Sequence, residues 1–282
     1  MRPGRRQRLL PGALLPVVLA LGVALTGCTS EEPGDPKPSA PTSTATTPAT
    51  ADEVPVPKDR ACFDLSYADA LAPTNSSTPV DCAEKHTSMT YAVGELDSAV
   101  QGHLLSVDSK RVQAQVARVC PERLSRFLGG TPEDLRLTML RAVWFTPTVE
   151  ESDAGANWFR CDVIAVAADG KLDPLTGRLA GVLAKPEARG KYAMCATAEP
   201  GTPDFSRVVC SREHAWRAIR TVDVPGADYP GEEAAREAGQ GPCEDAARDR
   251  ADDALNFTWG YEWPTAAQWR AGQTYGLCWI PD

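Results

Sequence analysis

Val80-Asp81-Cys82-Ala83-Glu84-Lys85-His86 and Val208-Val209-Cys210-Ser211-Arg212-Glu213-His214 hold Val, Cys and His in one register. The agreement continues downstream. Pro147-Thr148 is followed by Gly155 and Cys161, and Pro264-Thr265 by Gly272 and Cys278, with the same offsets throughout. Aromatic positions follow too: Trp144 matches Tyr261, and Trp158 matches Tyr275. Two blocks of matches in the same order, each anchored on cysteine, mark an internal duplication.

The duplication organises the cysteines. Each half carries four: Cys62, Cys82, Cys120 and Cys161, then Cys195, Cys210, Cys243 and Cys278. Eight cysteines allow about 105 pairings. If the halves share a fold, one rule applies twice within them and three schemes remain. The favoured scheme joins first with second and third with fourth: Cys62–Cys82, Cys120–Cys161, Cys195–Cys210 and Cys243–Cys278. The first kind would close a short strand connection, and the second would pin a helix to the last strand. Zinc is the competing use of cysteine. No C-x2-C pair occurs, and the two Cys-x3-His pairs lie far apart without companion ligands at finger spacing, so no metal is expected.

The expected fold class is α+β: two tandem related small domains, each an antiparallel sheet with one helical segment, stapled by disulfides. In the first half Val112, Val116, Val119, Cys120, Leu124 and Phe127 recur at helical spacing, with Pro121 expected to kink the element or begin a second helix. The matching helix spans about 232–255, interrupted by Gly239, Gly241 and Pro242 and carrying Cys243. Strands are expected at 90–93, 137–145, 158–167, 218–224 and 275–280. The copies are placed at 59–168 and 191–282, with a connector at 169–190.

Ahead of the duplication, Arg2, Arg5, Arg6 and Arg8 precede an apolar stretch from Leu9 to Leu25, broken by Pro11, Gly12, Pro16 and Gly22. This is the pattern of an export signal, residues 1–27, and is too short and interrupted for a membrane span. Leu25-Thr26-Gly27-Cys28 looks like a bacterial lipobox, which would place a lipid on Cys28 and attach the chain to the outer face of the cell membrane. Residues 28–58, rich in Pro, Ser, Thr and Ala, read as a disordered tether. The whole chain of 282 residues has 29 Lys or Arg and 38 Asp or Glu, a formal charge of −9. Without residues 1–27 there remain 25 basic and 38 acidic residues, a charge of −13. Such a balance argues against a nucleic-acid partner, since phosphate neutralisation needs clustered Lys and Arg.

With the leading cysteine, the Val-x-Cys-x3-His block, Tyr229-Pro230-Gly231 and the ending Trp263-Pro264-Thr265-x3-Trp269-x2-Gly272-x5-Cys278, residues 59–282 resemble the septum-formation domain family of actinobacterial envelope proteins. The resemblance implies a role in division septum or envelope growth and brings no catalytic residues with it. Where the family commonly has Pro before the His, this chain has Lys85 and Glu213.

Chemistry-bearing residues are few. The repeated His86 and His214 read first as hydrogen-bonded structural groups beside a disulfide and second as parts of an interaction surface; His103 has no counterpart. No G-x-S-x-G occurs, and the cysteines are committed to bridges, so nucleophilic catalysis has no support. The acids Asp81, Glu84, Glu150, Glu151, Glu244 and Asp245 leave a carboxylate-dependent hydrolase open. No phosphate-binding glycine motif implies a nucleotide, and no cofactor is expected. Trp259, Trp263, Trp269 and Trp279 crowd the last stretch, either as core or as an exposed surface for glycan or protein. The expected function is a non-enzymatic, lipid-anchored scaffold or binding protein whose partners are the membrane, through Cys28, and envelope proteins or cell-wall glycan. The alternatives are a carboxylate-dependent wall hydrolase and a glycan- or small-ligand-binding lipoprotein.

Overall fold

The computed structural model describes residues 54–177 and 179–282, which lie in one compact unit. The expected signal segment, Cys28 and the tether up to residue 53 lie outside the described residues. No helix among the described residues is long and apolar enough to cross a membrane.

Copy 1 runs through β1 (Cys62–Phe63), α1 (Tyr67–Leu71), β2 (Ser88–Glu95), the hairpin β3 (Ala99–Val100) and β4 (His103–Leu104), α2 (Lys110–Leu128), α3 (Pro132–Arg136), β5 (Leu140–Phe145), α4 (Val149–Asp153) and β6 (Trp158–Ala168). The connector holds β7 (Lys171–Asp173) and α5 (Pro186–Tyr192). Copy 2 follows with β8 (Met194–Ala196), β9 (Arg207–Val209), β10 (Trp216–Asp223), α6 (Glu232–Arg248), β11 (Gly260–Glu262), α7 (Ala266–Arg270) and β12 (Tyr275–Pro281). The sheets are antiparallel, ordered β1-β2-β6-β5 and β9-β8-β10-β12-β11, with β7 added beside β6.

The registers of the two sheets superpose. Ser88 pairs with Ile164 and Trp216 with Pro281; Trp144 pairs with Cys161 and Tyr261 with Cys278. Both central ladders shift at the same place, between Thr90 and Ala92 in copy 1 and between Ala218 and Arg220 in copy 2. A bulge at the same step of both sheets is a feature of the duplicated fold. The Pro-Thr pairs have a local role: Thr148 and Thr265 each cap a five-residue helix in a capping box closed by Glu151 and Gln268.

Each long helix lies on one face of its sheet. In α2 the buried stripe is Val112, Val116, Cys120, Leu124 and Leu128, at helical spacing. Neither helix is split. α2 continues through Pro121, and α6 through Gly239, Gly241 and Pro242, contrary to the expected breaks. The proline costs one ladder hydrogen bond, but packing on the sheet and the neighbouring disulfides, at Cys120 and Cys243, outweigh that local preference. Beyond the single helical segment expected per copy, the fold adds short helices, α1, α3 and α4 in copy 1 and α7 in copy 2.

The copies also share a core. The second sheet's face away from α6 brings Met194, Val209, Trp216, Leu277 and Trp279 against Met139 and Ala167 of copy 1. Backbone bonds Met139 N–H to Tyr192 carbonyl, 2.8 Å, and Met194 N–H to Leu137 carbonyl, 2.9 Å, stitch the join. At its margin Arg136 pairs with Asp223 at 2.7 Å and lies 4.1 Å from the Tyr275 ring centroid.

Candidate functional site

The four cysteine pairs are those of the first-with-second, third-with-fourth scheme, with Cα–Cα separations of 5.3 Å (Cys62–Cys82), 5.4 Å (Cys120–Cys161), 4.9 Å (Cys195–Cys210) and 5.0 Å (Cys243–Cys278). These separations suit a disulfide. One bridge in each copy ties the first strand to the Cys-x3-His block, and the other ties the long helix to the last strand.

Each His folds back on its own block. Nδ1 of His86 lies 2.9 Å from the Glu84 carbonyl, and Nδ1 of His214 lies 2.6 Å from the Arg212 carbonyl. A carbonyl oxygen only accepts, so Nδ1 carries a proton in both rings. Their other nitrogens differ. His86 is fully buried, and its Nε2 has no partner among the described residues. His214 Nε2 lies 2.9 Å from Asp282 Oδ2, which Arg217 also engages through Nε at 2.8 Å. The Arg217 hydrogen bond foremost, aided by His214, holds Asp282 below the usual carboxylate range against its partial burial. Both rings therefore serve as clasps on the backbone that leads into the central strand.

Cys195, Cys210 and His214 bring three ligand-type atoms within 4.8 Å of one another. Two of the three are the sulfurs of one bridge. Metal coordination needs thiolates, so the trio does not fit a metal ion while the bridge stands.

A polar cluster that sequence reasoning missed lies inside copy 1. Asp162, fully buried on β6, accepts from Ser88 Oγ and Thr90 Oγ1, both at 2.8 Å. Arg160 Nε lies 3.1 Å from Asp162 Oδ1, too poorly angled for a hydrogen bond, and Arg160 Nη2 donates to Asn75 Oδ1 at 3.3 Å. The guanidinium sits between two rings, 4.0 Å from the Phe63 centroid and 4.5 Å from that of Phe145. Burial pushes the Asp162 carboxyl above the ordinary range, opposed by Arg160, Thr90 and Ser88. The signal was present in Arg160-Cys161-Asp162: opposite charges two residues apart share one face of an otherwise apolar strand. A hydrolase carboxylate must meet substrate and water, and this one meets neither. Of the acids singled out in the sequence, Asp81, Glu84, Glu150 and Glu151 are exposed, while Glu244 and Asp245 pair with Arg248 on α6.

The tryptophans do not form one surface. Trp279 is buried in the join between copies, Trp269 packs with Val224 and Ala235, and the half-buried Trp259 and Trp263 flank Tyr261 and the Cys243–Cys278 bridge. Strand alternation separates them: Cys278 faces α6, so Trp279 faces the opposite side.

Clefts open on both copies, one of about 320 Å³ on copy 2 between Ala247, Asn256 and Pro281. A cleft of about 610 Å³ beside the Cys62–Cys82 bridge is lined by Arg60, Met89 and Leu179, among others. Arg60 stands in the left-handed region, φ 62°, with its guanidinium 4.6 Å from the Phe127 ring centroid. A non-glycine residue held there is strained, a condition that clusters at ligand-contacting positions. The cleft is within the volume range of small-molecule sites.

No curated protein and no solved structure matches the chain. A family model described as septum formation matches it twice, over residues 22–152 and 144–278. The two matches overlap over residues 144–152, from the end of β5 into α4 of copy 1. Two matches that together cover most of the sequence establish the relationship: the chain belongs to the septum-formation family.

Proposed function

We propose that the chain is an exported, lipid-anchored binding or scaffold protein of the cell envelope, acting in septum formation without catalysis. Membership of the septum-formation family supports the process, and the sequence pattern ending at Cys28 supports the anchor. One observation carries the binding reading: a cleft of about 610 Å³ stands open beside the Cys62–Cys82 bridge, walled by Arg60, Met89 and Leu179. The face of copy 1 equivalent to the one copy 2 buries in the join is itself closed over the Asp162–Arg160 pair. The repeated histidines are engaged with the backbone, and the one fully buried carboxylate among the described residues, Asp162, is sealed from water, which fits recognition better than hydrolysis.

Incubating the oxidised full chain with purified peptidoglycan tests the non-enzymatic reading. Intact sacculi are expected, and released muropeptides would overturn it. Membrane fractionation of Cys28→Ala tests the anchor separately: release into the medium is expected, and retention equal to the unsubstituted chain would exclude a lipid at that residue.

A further inference from the structure

Copy 1 differs from copy 2 by insertions that meet in space. The Cys62–Cys82 bridge spans 20 residues against 15 for Cys195–Cys210, and copy 1 uses that longer loop for α1. The β3–β4 hairpin stands where copy 2 passes directly from β10 to α6. A cleft of about 260 Å³ lies on the outer edge of β5 at Ala142–Trp144, and two more of about 210 and 220 Å³ continue past the end of the strand, at Thr146–Val149 and at Leu104–Val107 with Asp153. The first two share Pro73 and Gln113, and the last two share Val107 and Val149, so they adjoin in series as a segmented groove.

The groove has the properties of a strand-accepting site. β5 is the last strand on its side of the sheet, and Thr146 N–H, just beyond it, points outward and donates to the Pro73 carbonyl at 3.1 Å. The two-residue period of a strand puts the backbone groups of Ala142 and Trp144 on that same outer edge. Among the described residues no strand pairs with them there. Exposed apolar side chains stand along the walls: Leu71 at 59%, Leu104 at 80% and Val149 at 41%. The charged residues lining the groove are Asp108 and Asp153, with no Lys or Arg among the lining.

We propose that this groove takes an extended segment of a partner protein, added as a strand on β5, in which small apolar side chains alternate with Lys or Arg. Edge N–H and C=O groups supply affinity independent of sequence, Leu71, Leu104 and Val149 receive the apolar side chains, and Asp108 and Asp153 select the cations. Such a partner presupposes that the chain is a binding protein, and it defines the chemistry of what is bound.

The test uses the oxidised full chain in detergent and a fluorescein-labelled peptide of alternating Lys and Val, against one of alternating Glu and Val. The Lys peptide is expected to raise anisotropy saturably, with the Glu peptide about tenfold weaker or more. Ala142→Pro removes an outward N–H without touching the ladder to β6 and is expected to weaken binding about tenfold. Leu104→Ser, on an exposed side chain that folding does not need, gives a second reading and a several-fold loss. Asp108→Asn with Asp153→Asn is expected to flatten the salt dependence. Equal binding of both peptides, no binding, or full binding by Ala142→Pro and Leu104→Ser would overturn the assignment. So would self-association that protects the Ala142 and Trp144 amides from exchange, since a second copy would then be the occupant. If Ala142→Pro still labels the same neighbours by proximity labelling in growing cells, the groove fails while the binding-protein reading stands; muropeptide release with peptide binding intact overturns the non-enzymatic reading alone.

Discussion

Positions that face each other across the two central ladders hold opposite chemistry in the two copies. By register, Ser88, Thr90 and Asp162 of copy 1 correspond to Trp216, Ala218 and Trp279 of copy 2, and Arg160 corresponds to Leu277. One sheet face encloses an ion pair under its own loops, and the other is an apolar surface pressed against its sister copy. The staples and the register, not the residues of this face, are what the duplication preserved. With one bridge in each copy fixing helix to strand and another holding the Cys-x3-His block, the face of the sheet was free to become either an interior or an interface.

Removing half of the buried pair is expected to have the largest effect on copy 1. Asp162→Ala leaves Arg160 charged and buried without its carboxylate, which costs about 3–5 kcal/mol. Converting the cluster to apolar groups together, with Arg160→Met, Asp162→Leu, Ser88→Ala and Thr90→Ala, is expected to restore most of that loss, since removing both charges also removes their desolvation cost. Urea unfolding with bridges intact measures both. A single substitution costing no more than an exposed one, under about 0.5 kcal/mol, would mean that the cluster does not hold copy 1 together.

How much of this was legible depends on whether a feature repeats. Cys62, Cys82 and His86 recur as Cys195, Cys210 and His214, so the duplication could be read from spacing, which narrowed the bridges to three schemes with one favoured. The short strands β8, β9 and β11 escaped because three residues carry too little periodicity to register. Pro121 and Gly239 misled because local propensity argues against a helix that tertiary packing sustains. The groove beside β5 was hidden for the opposite reason: its walls are the parts of copy 1 that copy 2 lacks, and a search for matches passes over them. Unequal spacing between matched cysteines was the available signal.

The helices differ as well. Four residues before the helix cysteine stands Val116 in copy 1 and Gly239 in copy 2, both buried. The strand residue opposite the last cysteine is Trp144 in one and Tyr261 in the other. A Cβ on Gly239 would fall within the Tyr261 ring, and so would one on Gly276, whereas in copy 1 the ring beside the matching strand is Phe159, against Gly94. Gly to Ala inside a helix normally stabilises by about 1 kcal/mol. Here the sign should reverse. Gly239→Ala is expected to destabilise by about 1–3 kcal/mol through overpacking, and Gly239→Ala with Tyr261→Phe should do no better, because the overlap is with the ring itself. Thermal unfolding that showed a gain for Gly239→Ala would mean that the helix is free to move away from the sheet.

The smallest expected effect separates the copies by the sign of their pH dependence. Asp282, held low by Arg217 and His214, binds its proton less readily in the folded chain than in the unfolded one. Its contribution is therefore complete above about pH 4, the unfolded carboxylate value, and is lost as pH falls through the lower folded value. Asp162, pushed up by burial, has the opposite linkage: its contribution is complete below about pH 4 and is lost as pH rises through the higher folded value. The position matching Asp282 in copy 1 is Ala165, and His86 Nε2 has no described partner, so copy 1 has no counterpart to the acid-sensitive clasp. Asp282→Asn should cost under about 1 kcal/mol at neutral pH, as for a partly exposed pair, and should remove the part of the stability loss below pH 4 that comes from copy 2. Asp162→Asn should instead flatten the slope above pH 4. Urea midpoints measured across pH 3–7 on both variants resolve the two contributions, and slopes that change in the same direction would show that the two carboxylates sit in equivalent environments after all.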